Sequence, residues 1–599
     1  MVPPVIPVPN GIIGALQDNS SQPHKSTAPY GAVLLYLFPI SIVYTIPTMK
    51  KIILLCTGIA ILVGAGLAWV YIDKIDTLVS SQIKPSINAS SKPNILFVLT
   101  DDLDYELIKK LPKFKELMTA EGMTFENNFV SLSLCCPSRS SILLGQYAHN
   151  TGIFTNGKVT DKSYDGGYEG FISHGDDKKT VANDLQKAGY RTALFGKYLN
   201  GYEINKAGMS VPQGWSNWAV PIDGNPYSNY NFQLNVDGTK EDYYLANCDP
   251  EHLQQCSKVQ YENALANKNA NYMTHVLTAK AEEFIKNSAE NNTPFFLYLS
   301  TYAPHGPATP SPKYEHLILG TSEADKKWRQ DNPVPRTPSF NEADISDKPS
   351  WMKDVEPLTQ KAITQLDKKY QFRLASLYSV DDMIEKLIAT LKENGQLENT
   401  YIVFTSDNGF HMGERRLGAG KLTEFDTDLH TPLVVRGPGI GRESNTLALT
   451  GNIDFAPTFL ELAGLSKNTT FDGHSFVPLF TQPTATWRTS YLLEHGPVSE
   501  KKSNDQKLTN EPEDADTGST NKGADLVDRY EGLRTQRYTY IRYSKNGEEE
   551  LYDNLVDPYQ LSNIARSADV ILLGNLRTRT TALSTCKGSE CTTLEKLPL

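Results

Sequence analysis

Short, uninterrupted apolar runs recur along the chain, and several of them end in acidic or other polar residues. Clear examples are 93–102 (PNILFVLTDD), 293–307 (TPFFLYLSTYAPHGP) and 400–409 (TYIVFTSDNG). A continuous apolar run of this length is typical of a strand that is buried on both faces. Each run therefore predicts a buried strand with its polar residues at the carboxyl end.

Helical periodicity separates these runs, most clearly around 268–286 and 364–394. Strands that alternate with helices over several hundred residues predict an α/β fold, with a mostly parallel sheet flanked by helices. In such sheets, ligands bind beyond the carboxyl ends of the strands. We therefore expect a functional site where the apolar runs end.

The C-terminal region has a different pattern. Residues 500–525 are charged and almost free of apolar side chains, which predicts a mobile surface loop. The segment 530–558 then predicts two β-rich strands around a turn at Asn546-Gly547. These strands indicate a smaller C-terminal subdomain with an antiparallel sheet.

The longest uncharged segment lies near the N-terminus, at 52–72. Its length suffices for a helix of about 30 Å across a bilayer. Lys50 and Lys51 precede it, which predicts that the following chain lies outside the cytoplasm. The segment is either a membrane anchor or a cleaved signal peptide, so the main domain is either membrane-anchored and extracytoplasmic or secreted.

These patterns together predict five consecutive segments. They are a non-globular extension (1–48), a signal anchor or signal peptide (49–74), a linker (75–91), the main α/β domain (92–480) and the C-terminal subdomain (481–599).

Composition narrows the classes of partner. The chain of 599 residues contains 58 Lys and Arg against 69 Asp and Glu, a net charge of −11. Nucleic-acid binders normally present a basic surface, so we expect no nucleic-acid partner. An anionic substrate would need a local cluster of basic side chains rather than the overall field.

The seven cysteines agree with export from the cytoplasm. Two local pairs are spaced to close small disulfide loops in an oxidising compartment, with reduced thiols as the alternative: Cys248 with Cys256, and Cys586 with Cys591. Cys56 lies in the apolar N-terminal segment, and Cys135 and Cys136 are left over.

Two pairs of polar residues follow predicted strands. Asp101 and Asp102 end the first run, and Asp407 and Asn408 end the last. Each pair alone is compatible with ordinary turn chemistry. Two pairs at two strand ends instead favour a site for a hard cation, Ca²⁺ or Mg²⁺, because such cations prefer oxygen ligands.

The adjacent cysteines begin the segment CCPSRSSILLG, at 135–145. Pro137 near the start of an apolar stretch predicts the first turn of a helix. A nucleophile just before that helix would meet unpaired N–H groups and the positive end of the dipole, and Arg139 would add a fixed charge. A disulfide or two buried thiols remain alternatives for Cys135 and Cys136.

The same segment resembles the signature of the sulfatase family, C-x-P-S-R followed by x-x-x-L-x-G. The resemblance implies that a formylglycine-generating enzyme oxidises Cys135 to formylglycine, whereas Cys136 fills the variable position. One departure is Leu144, where the family usually has threonine.

Further motifs resemble the same family in the same order, over roughly 92–565. The resemblance implies an alkaline-phosphatase-like fold and one divalent cation per chain. It also implies site residues, which are Lys197 in ALFGKYLNGY, His305 in YAPHGP and Lys421 in GKLTEF for the sulfate, Arg139 for catalysis, and Asp101, Asp102, Cys135, Asp407 and Asn408 for the metal.

A second departure is Leu199, because many arylsulfatases have histidine two residues after the lysine of the GK motif. Together with the doubled cysteine, it resembles the branch of N-acetylglucosamine-6-sulfatases and extracellular heparan 6-sulfatases. The implied substrate is a sulfated sugar of the glucosamine 6-sulfate type, or an aryl sulfate. Asn200 or His411 would take the place of the missing histidine at the substrate.

The chemistry of the residue types agrees with hydrolysis of a sulfate monoester. A formylglycine hydrate carries two hydroxyls on one carbon, so that one attacks sulfur and the other expels sulfate. Two alternatives are a phosphonate or phosphate monoester hydrolase of the same superfamily and a catalytically dead glycan-binding protein. The irregular segments 155–180, 203–260 and 306–355 match no pattern that would identify the substrate.

Overall fold

The computed structural model describes residues 92–157, 165–203, 207–244, 267–466, 470–496 and 527–599. The N-terminal segments up to residue 91, the predicted loop 500–525 and the pair Cys248 and Cys256 lie outside these residues. Within the described ranges, no helix combines the length and apolar character that a membrane span requires.

Most of the strands belong to one large sheet. The strands are β1 Asn94–Thr100, β2 Met123–Phe129, β3 Ile153–Thr155, β4 Asp165–Gly166, β5 Arg191–Gly196, β6 Asn217–Gly224, β7 Phe232–Val236, β8 Thr239–Tyr243, β9 Phe295–Ser300, β10 Thr400–Ser406, β11 His411–Met412, β12 Ala419–Gly420, β13 Leu433–Arg436, β14 Ser444–Gly451, β15 Ser490–Glu494, β16 Tyr530–Thr535, β17 Tyr538–Tyr543 and β18 Glu549–Asp553.

Helices alternate with the strands along the chain. They are α1 Pro112–Phe114, α2 Cys135–Leu144, α3 Ala148–Thr151, α4 Gly167–Ser173, α5 Val181–Lys187, α6 Met273–Glu290, α7 Glu315–Leu319, α8 Glu323–Asp331, α9 Gln360–Glu393, α10 Asp426–Leu429, α11 Phe455–Leu462, α12 Val570–Leu583 and α13 Ser589–Leu594, and short 3₁₀ or π turns occupy Leu107–Lys110, Lys115–Thr119, Asp176–Lys178, Pro226–Ser228, Ser350–Met352, Leu397–Asn399, Asn452–Asp454 and Val477–Phe480.

The large sheet has ten strands in the order β14-β2-β13-β10-β1-β9-β5-β6-β7-β8. Its centre, from β10 to β6, is parallel, while β13 and β7 run antiparallel to their neighbours. The predicted α/β fold with a mostly parallel sheet flanked by helices is confirmed. All three apolar runs form central, adjacent strands of it, β10, β1 and β9.

Strand β1 shows why its run is continuously apolar. Leu96 and Val98 belong to the hydrophobic core on one face of the sheet, together with Leu377 of α9. Phe97 belongs to the core on the other face, together with Phe455 of α11. Alternate residues of a strand point to opposite faces, so burial of both faces leaves no position for a polar side chain.

The C-terminal region forms a separate antiparallel sheet of four strands, β15-β16-β17-β18, which confirms the predicted small sheet. The segment 530–558 contains three strands, however, and not the two that its sequence predicted. The turn at Asn546-Gly547 lies between β17 and β18 as expected, and a second turn at Gln536-Arg537 separates β16 from β17. The predicted disulfide between Cys586 and Cys591 is present and joins the segment after α12 to the first turn of α13.

Candidate active site

Four adjacent parallel strands end at one edge of the large sheet. Thr100 of β1 pairs with Ser406 of β10, so the residues that follow them, 101–102 and 407–408, emerge side by side. Ser300 of β9 pairs with Gly196 of β5, which brings Lys197 and the turn containing His305 to the same edge. The fold therefore collects residues that are more than 300 positions apart in the chain.

Helix α2 brings the cysteines to this edge. Cys135 is the first residue of the helix and therefore lies within its first turn, not before it as the sequence predicted. Its Sγ lies 3.4 Å from Oδ1 of Asp101 and 2.9 Å from Nζ of Lys421. Neither Cys135 nor Cys136 forms a disulfide bond with a described cysteine, so that alternative is wrong here.

Cys136 lies in a different environment from Cys135. Its side chain is in the apolar core around α2, and its backbone N–H donates to Oδ1 of Asn156 at 2.9 Å. Burial raises the pKa of the Cys136 thiol to about 12, although Ser140 and nearby basic groups oppose the shift. Cys136 is therefore a buried thiol that stays protonated, while Cys135 faces the polar cluster.

The paired polar residues form one buried group. Nδ2 of Asn408 donates to Oδ1 of Asp102 at 2.6 Å, and the backbone N–H of Asp102 donates to Oδ1 of Asp407 at 3.1 Å. Oδ2 of Asp102 and Oδ1 of Asn408 are buried without a hydrogen-bond partner. Unsatisfied buried oxygens are costly unless a cation or water meets them, so this donor set fits a hard divalent cation.

A second set of possible metal ligands among the described residues overlaps with this group. One ligand atom each from Asp101, Asp102, Cys135 and His305 lies within 4.8 Å of the others. The sequence assigned His305 to the substrate rather than to the metal. In the structure, a ring nitrogen of His305 lies close enough to the acidic residues to contact either a metal ion or a substrate bound there. Nδ1 of His305 donates to the backbone carbonyl of Gly306 at 2.8 Å, which leaves Nε2 facing Oδ2 of Asp102 at 3.6 Å.

Arg139 is fully buried one turn after Cys135. Its Nε donates to Oδ2 of Asp407 at 2.8 Å, and its Nη1 donates to the Lys197 carbonyl at 2.9 Å and to Oγ of Ser300 at 2.6 Å. The guanidinium therefore ties helix α2 to the ends of β10, β5 and β9. A fixed geometry of this kind holds the polar cluster together.

Two lysines contact the acidic residues directly. Nζ of Lys197 donates to Oδ2 of Asp101 at 2.6 Å, and Nζ of Lys421 donates to Oδ1 of Asp102 at 2.7 Å. Burial raises the pKa of Asp101, but Lys197 and the neighbouring cationic groups outweigh this effect and hold that pKa well below its usual value. Asp101 is therefore ionised, which is the state that a metal ligand requires.

Asp407 behaves differently. Burial and the nearby Asp101 carboxylate raise its pKa to about 6, and Arg139 only partly offsets them. Like charges in a buried site oppose each other's ionisation. A divalent cation bound among these acids would lower the pKa of Asp407 and favour its ionised form.

His411 and Asn200 are the two residues that the sequence offered in place of a missing histidine. Nδ1 of His411 bonds both carboxylate oxygens of Asp428, at 2.9 and 3.0 Å, and β11 pairs His411 with Gly420, next to Lys421. Nδ2 of Asn200 donates to the hydroxyl of Tyr227 at 3.4 Å. Leu199 is buried in the apolar core and does not take the position of a polar ligand.

Two residues near the site were missed from the sequence. Asp428 is fully buried on α10 and also accepts from the backbone and the hydroxyl of Thr423. Tyr227 contacts both Lys197 and His305. Asp428 carries no local signal, since it is 17 positions from His411, and Tyr227 lies in a segment without a readable pattern.

The geometry agrees with a comparison against protein families. The sulfatase family profile matches residues 93–465, which is more than half of the chain. The chain belongs to the sulfatase family. It is therefore a sulfuric ester hydrolase by family, as its motifs predicted, and the alkaline-phosphatase-like fold that they implied is confirmed.

Relatives of this sulfatase support the predicted branch. N-acetylglucosamine-6-sulfatase from Capra hircus is 32% identical over 531 residues, 85% of this chain and 87% of that protein. The extracellular sulfatase SULF-1 homologue from Drosophila melanogaster is 33% identical over 414 residues, 67% of this chain and 33% of that protein.

A solved structure supports the fold of this sulfatase. It is described as a complex with its substrate D-glucosamine-2-N,6-O-disulfate, and it aligns with a TM-score of 0.59 at 23% identity. The alignment covers 82% of this chain and 97% of that chain. At this identity the likeness concerns the fold alone.

Proposed function

We propose that this sulfatase hydrolyses 6-sulfate esters of glucosamine-containing sugars at the edge of the sheet defined by Cys135 and its neighbours. The observation that carries the proposal is the contact of Cys135 with Lys421, inside a buried cluster that also contains Lys197 and His305. Basic groups in a buried site neutralise a sulfate ester far more effectively than the same groups in water. The net negative charge of the chain does not exclude an anionic substrate, because three cationic side chains, Lys197, Lys421 and Arg139, lie in this cluster and a divalent cation would add to their charge.

The proposed metal ligands are Asp101, Asp102, Asp407, Asn408 and, after its modification, residue 135. The two unsatisfied buried oxygens of Asp102 and Asn408 support this set. When bound there, Ca²⁺ or Mg²⁺ would supply positive charge that neutralises the sulfate ester. Arg139 holds the carboxylate of Asp407 in position for that role.

Cys135 is the proposed site of formylglycine, made by a formylglycine-generating enzyme. The hydrate of that aldehyde supplies a hydroxyl nucleophile and a second hydroxyl through which sulfate is released. The chain itself contributes the first turn of α2, whose dipole favours negative charge at residue 135. Nζ of Lys421 lies 2.9 Å from Sγ of Cys135, which the modification replaces with oxygen, so Lys421 is proposed to stabilise negative charge on the oxygen at that position.

Lys197 and His305 are proposed to bind the sulfate and to face the leaving oxygen. Their side chains are buried beside Asp101 and Asp102, so the sulfate replaces carboxylate contacts without exposing the lysine to water. His305 is the candidate proton donor because Nδ1 is occupied by the Gly306 carbonyl and only Nε2 faces the cluster. His411, held by Asp428, is proposed to bind the substrate from the Lys421 side.

The sugar substrate is supported by the relatives, which include an N-acetylglucosamine-6-sulfatase. We also propose that the enzyme acts outside the cytoplasm, either secreted or anchored through residues 52–72. The similarity to an extracellular sulfatase and the disulfide between Cys586 and Cys591 support that compartment. The boundaries 92–480 and 481–599 are proposed for the two parts of the extracytoplasmic region.

The decisive experiment is a substrate panel. Protein produced together with a formylglycine-generating enzyme is supplied with Ca²⁺ or Mg²⁺ and tested on glucosamine 6-sulfate, its N-acetyl form, 2-sulfated and 3-sulfated sugars and nitrophenyl sulfate. We expect release of sulfate from the 6-sulfated sugars at the highest kcat/KM. Preference for a phosphonate or phosphate monoester over every sulfate ester would reject the proposal.

A further inference from the structure

The connection between β6 and β7 brings an aromatic side chain to the site. It contains the 3₁₀ turn Pro226–Ser228, and Asn225 caps this turn by accepting the backbone N–H of Ser228. Tyr227 lies in the middle of the turn. The turn belongs to a part of the chain whose sequence shows no interpretable pattern, so no motif pointed to it.

The ring of Tyr227 lies against both groups that are proposed to bind the sulfate. Nζ of Lys197 is 4.9 Å from the ring centroid, within the range of a cation–π contact. The ring of His305 is 4.6 Å from it, centroid to centroid. Tyr302 packs edge-on with Tyr227 at 5.0 Å between ring centroids, and Asn200 donates to the phenolic oxygen. These contacts fix the orientation of the ring.

The burial of these groups differs in a way that indicates a role. Lys197 is 3% exposed and His305 is fully buried, whereas Tyr227 is only partly buried. Among these three side chains, Tyr227 is therefore the most accessible to a substrate. A sulfate bound by Lys197 and His305 would therefore lie beside the partly exposed ring of Tyr227.

We propose that Tyr227 is a specificity-determining residue whose ring contacts the carbon skeleton of the sugar that carries the sulfate; this rests on the function proposed above. The face of a phenol ring is electron-rich and packs well against the weakly positive C–H groups of a pyranose. The contact is made with the alcohol part of the ester and not with the sulfate. Tyr227 thereby selects substrates in which a ring lies next to the sulfated carbon.

Inhibition by inorganic sulfate, the product, distinguishes a Tyr227 that contacts the sugar from one that only orients Lys197 and His305. Sulfate contacts Lys197 and His305 but has no carbon skeleton. If Tyr227 binds the sugar, loss of its ring weakens binding of the sulfate ester and leaves inhibition by inorganic sulfate unchanged. If Tyr227 acts only by orienting Lys197 and His305, binding of the ester and inhibition by sulfate are weakened together.

The experiment compares Tyr227→Phe, Tyr227→Leu and the wild-type full chain bearing the aldehyde. For Tyr227→Leu we expect the KM for glucosamine 6-sulfate to rise roughly 10–100-fold, the range for loss of an apolar pocket contact. The inhibition constant of inorganic sulfate should change by less than about threefold, and Tyr227→Phe should resemble the wild type on both measurements. Tyr244→Leu is the matched control, because Tyr244 follows β8 and is 43% exposed.

Thermal unfolding of each variant shows whether the fold is retained. An unchanged KM in Tyr227→Leu overturns the proposal, and so does an equal weakening of sulfate inhibition. If the wild type hydrolyses no sulfated sugar, the proposed function fails separately. In that case KM and sulfate inhibition are compared with nitrophenyl sulfate as the substrate. A raised KM in Tyr227→Leu with unchanged sulfate inhibition supports the role of Tyr227, and an unchanged KM overturns it.

Discussion

The guanidinium of Arg139 donates from Nε to Oδ2 of Asp407 at 2.8 Å, and both side chains are fully buried. This ion pair links the helix that begins at Cys135 with the strand end that supplies the proposed metal ligands. A buried pair of this kind contributes modestly while intact, but removal of one partner leaves an uncompensated charge. The link therefore makes stability and metal binding depend on the same residue.

Asp407→Asn should lose metal and activity together. The amide retains an oxygen for the backbone N–H of Asp102 but removes the charge that faces Arg139, at a cost of about 3–5 kcal/mol in unfolding free energy. Denaturant unfolding and elemental analysis of the purified protein measure the two effects. Asp367→Asn is the control, because Asp367 pairs with Arg336 near the surface, where a pair is worth at most about 1 kcal/mol. Normal metal content and turnover in Asp407→Asn would show that the ligand set is wrong.

The two adjacent cysteines should differ completely in function. Peptide mass spectrometry of active protein is expected to show an aldehyde at residue 135 and an unmodified thiol at Cys136. Cys135→Ala should abolish turnover, whereas Cys136→Ala should retain most of it, because Cys136 lies in the apolar core and its pKa is raised to about 12. An aldehyde found at residue 136 alone, or full activity of Cys135→Ala, would contradict the assignment.

The pair of His411 and Asp428 should behave as one unit. Asp428→Asn is expected to lower kcat/KM for the 6-sulfated sugar by roughly 10–100-fold, as is typical when the partner that orients a histidine is changed. His411→Ala should cost a similar factor, and the double variant should be no worse than either single variant. Steady-state kinetics of the three variants give the coupling energy between His411 and Asp428. Additive losses would mean that Asp428 and His411 act independently.

The strand ends could be predicted because a buried parallel strand leaves a clear record in sequence, an apolar run followed by polar residues. The proximity of Asp101 and Asp102 to Asp407 and Asn408 could be anticipated for the same reason, since parallel strands deliver their carboxyl ends to one edge. Tyr227 and Asp428 could not, because their positions depend on irregular loops and on pairing across the sheet. The turn at Gln536-Arg537 was missed because it lacks the Gly and Asn that mark tight hairpins.

His149 should make stability depend on pH. Burial lowers its pKa, but the carboxylate of Glu494 at 3.0 Å outweighs burial and raises the pKa to about 9, and Nε2 donates to the carbonyl of Cys586 at 3.0 Å. The native state therefore holds a proton that the unfolded chain releases above its usual pKa of 6.5. The resulting stabilisation is full below pH 6.5 and is lost as pH rises through 9.

The check is a comparison of thermal unfolding for the wild type and His149→Gln. The difference in Tm should be large at about pH 6 and much smaller at about pH 10, because the charge of His149 has then been lost in both states. His316→Gln is a suitable control, since His316 is mostly exposed beside Asp325. A difference that does not change with pH would show that the charge of His149 contributes nothing.

His305 should matter more for poor leaving groups than for good ones. Its Nδ1 is engaged by the Gly306 carbonyl, and its Nε2 faces the acidic cluster where the sulfate is proposed to bind. A sugar alkoxide is strongly basic and leaves slowly without a proton, whereas a nitrophenolate leaves readily without help. General acid catalysis contributes roughly 10²–10⁴-fold where it is needed.

His305→Ala should therefore slow hydrolysis of a sugar 6-sulfate far more than hydrolysis of nitrophenyl sulfate, when kcat is compared under saturating substrate. His305→Gln separates hydrogen bonding from proton donation, because the amide keeps a donor but cannot transfer a proton; it should show the same unequal loss. An equal loss on both substrates would mean that His305 acts as a cation beside Lys197 and Lys421. The proton on the leaving oxygen would then have to come from another group of the site.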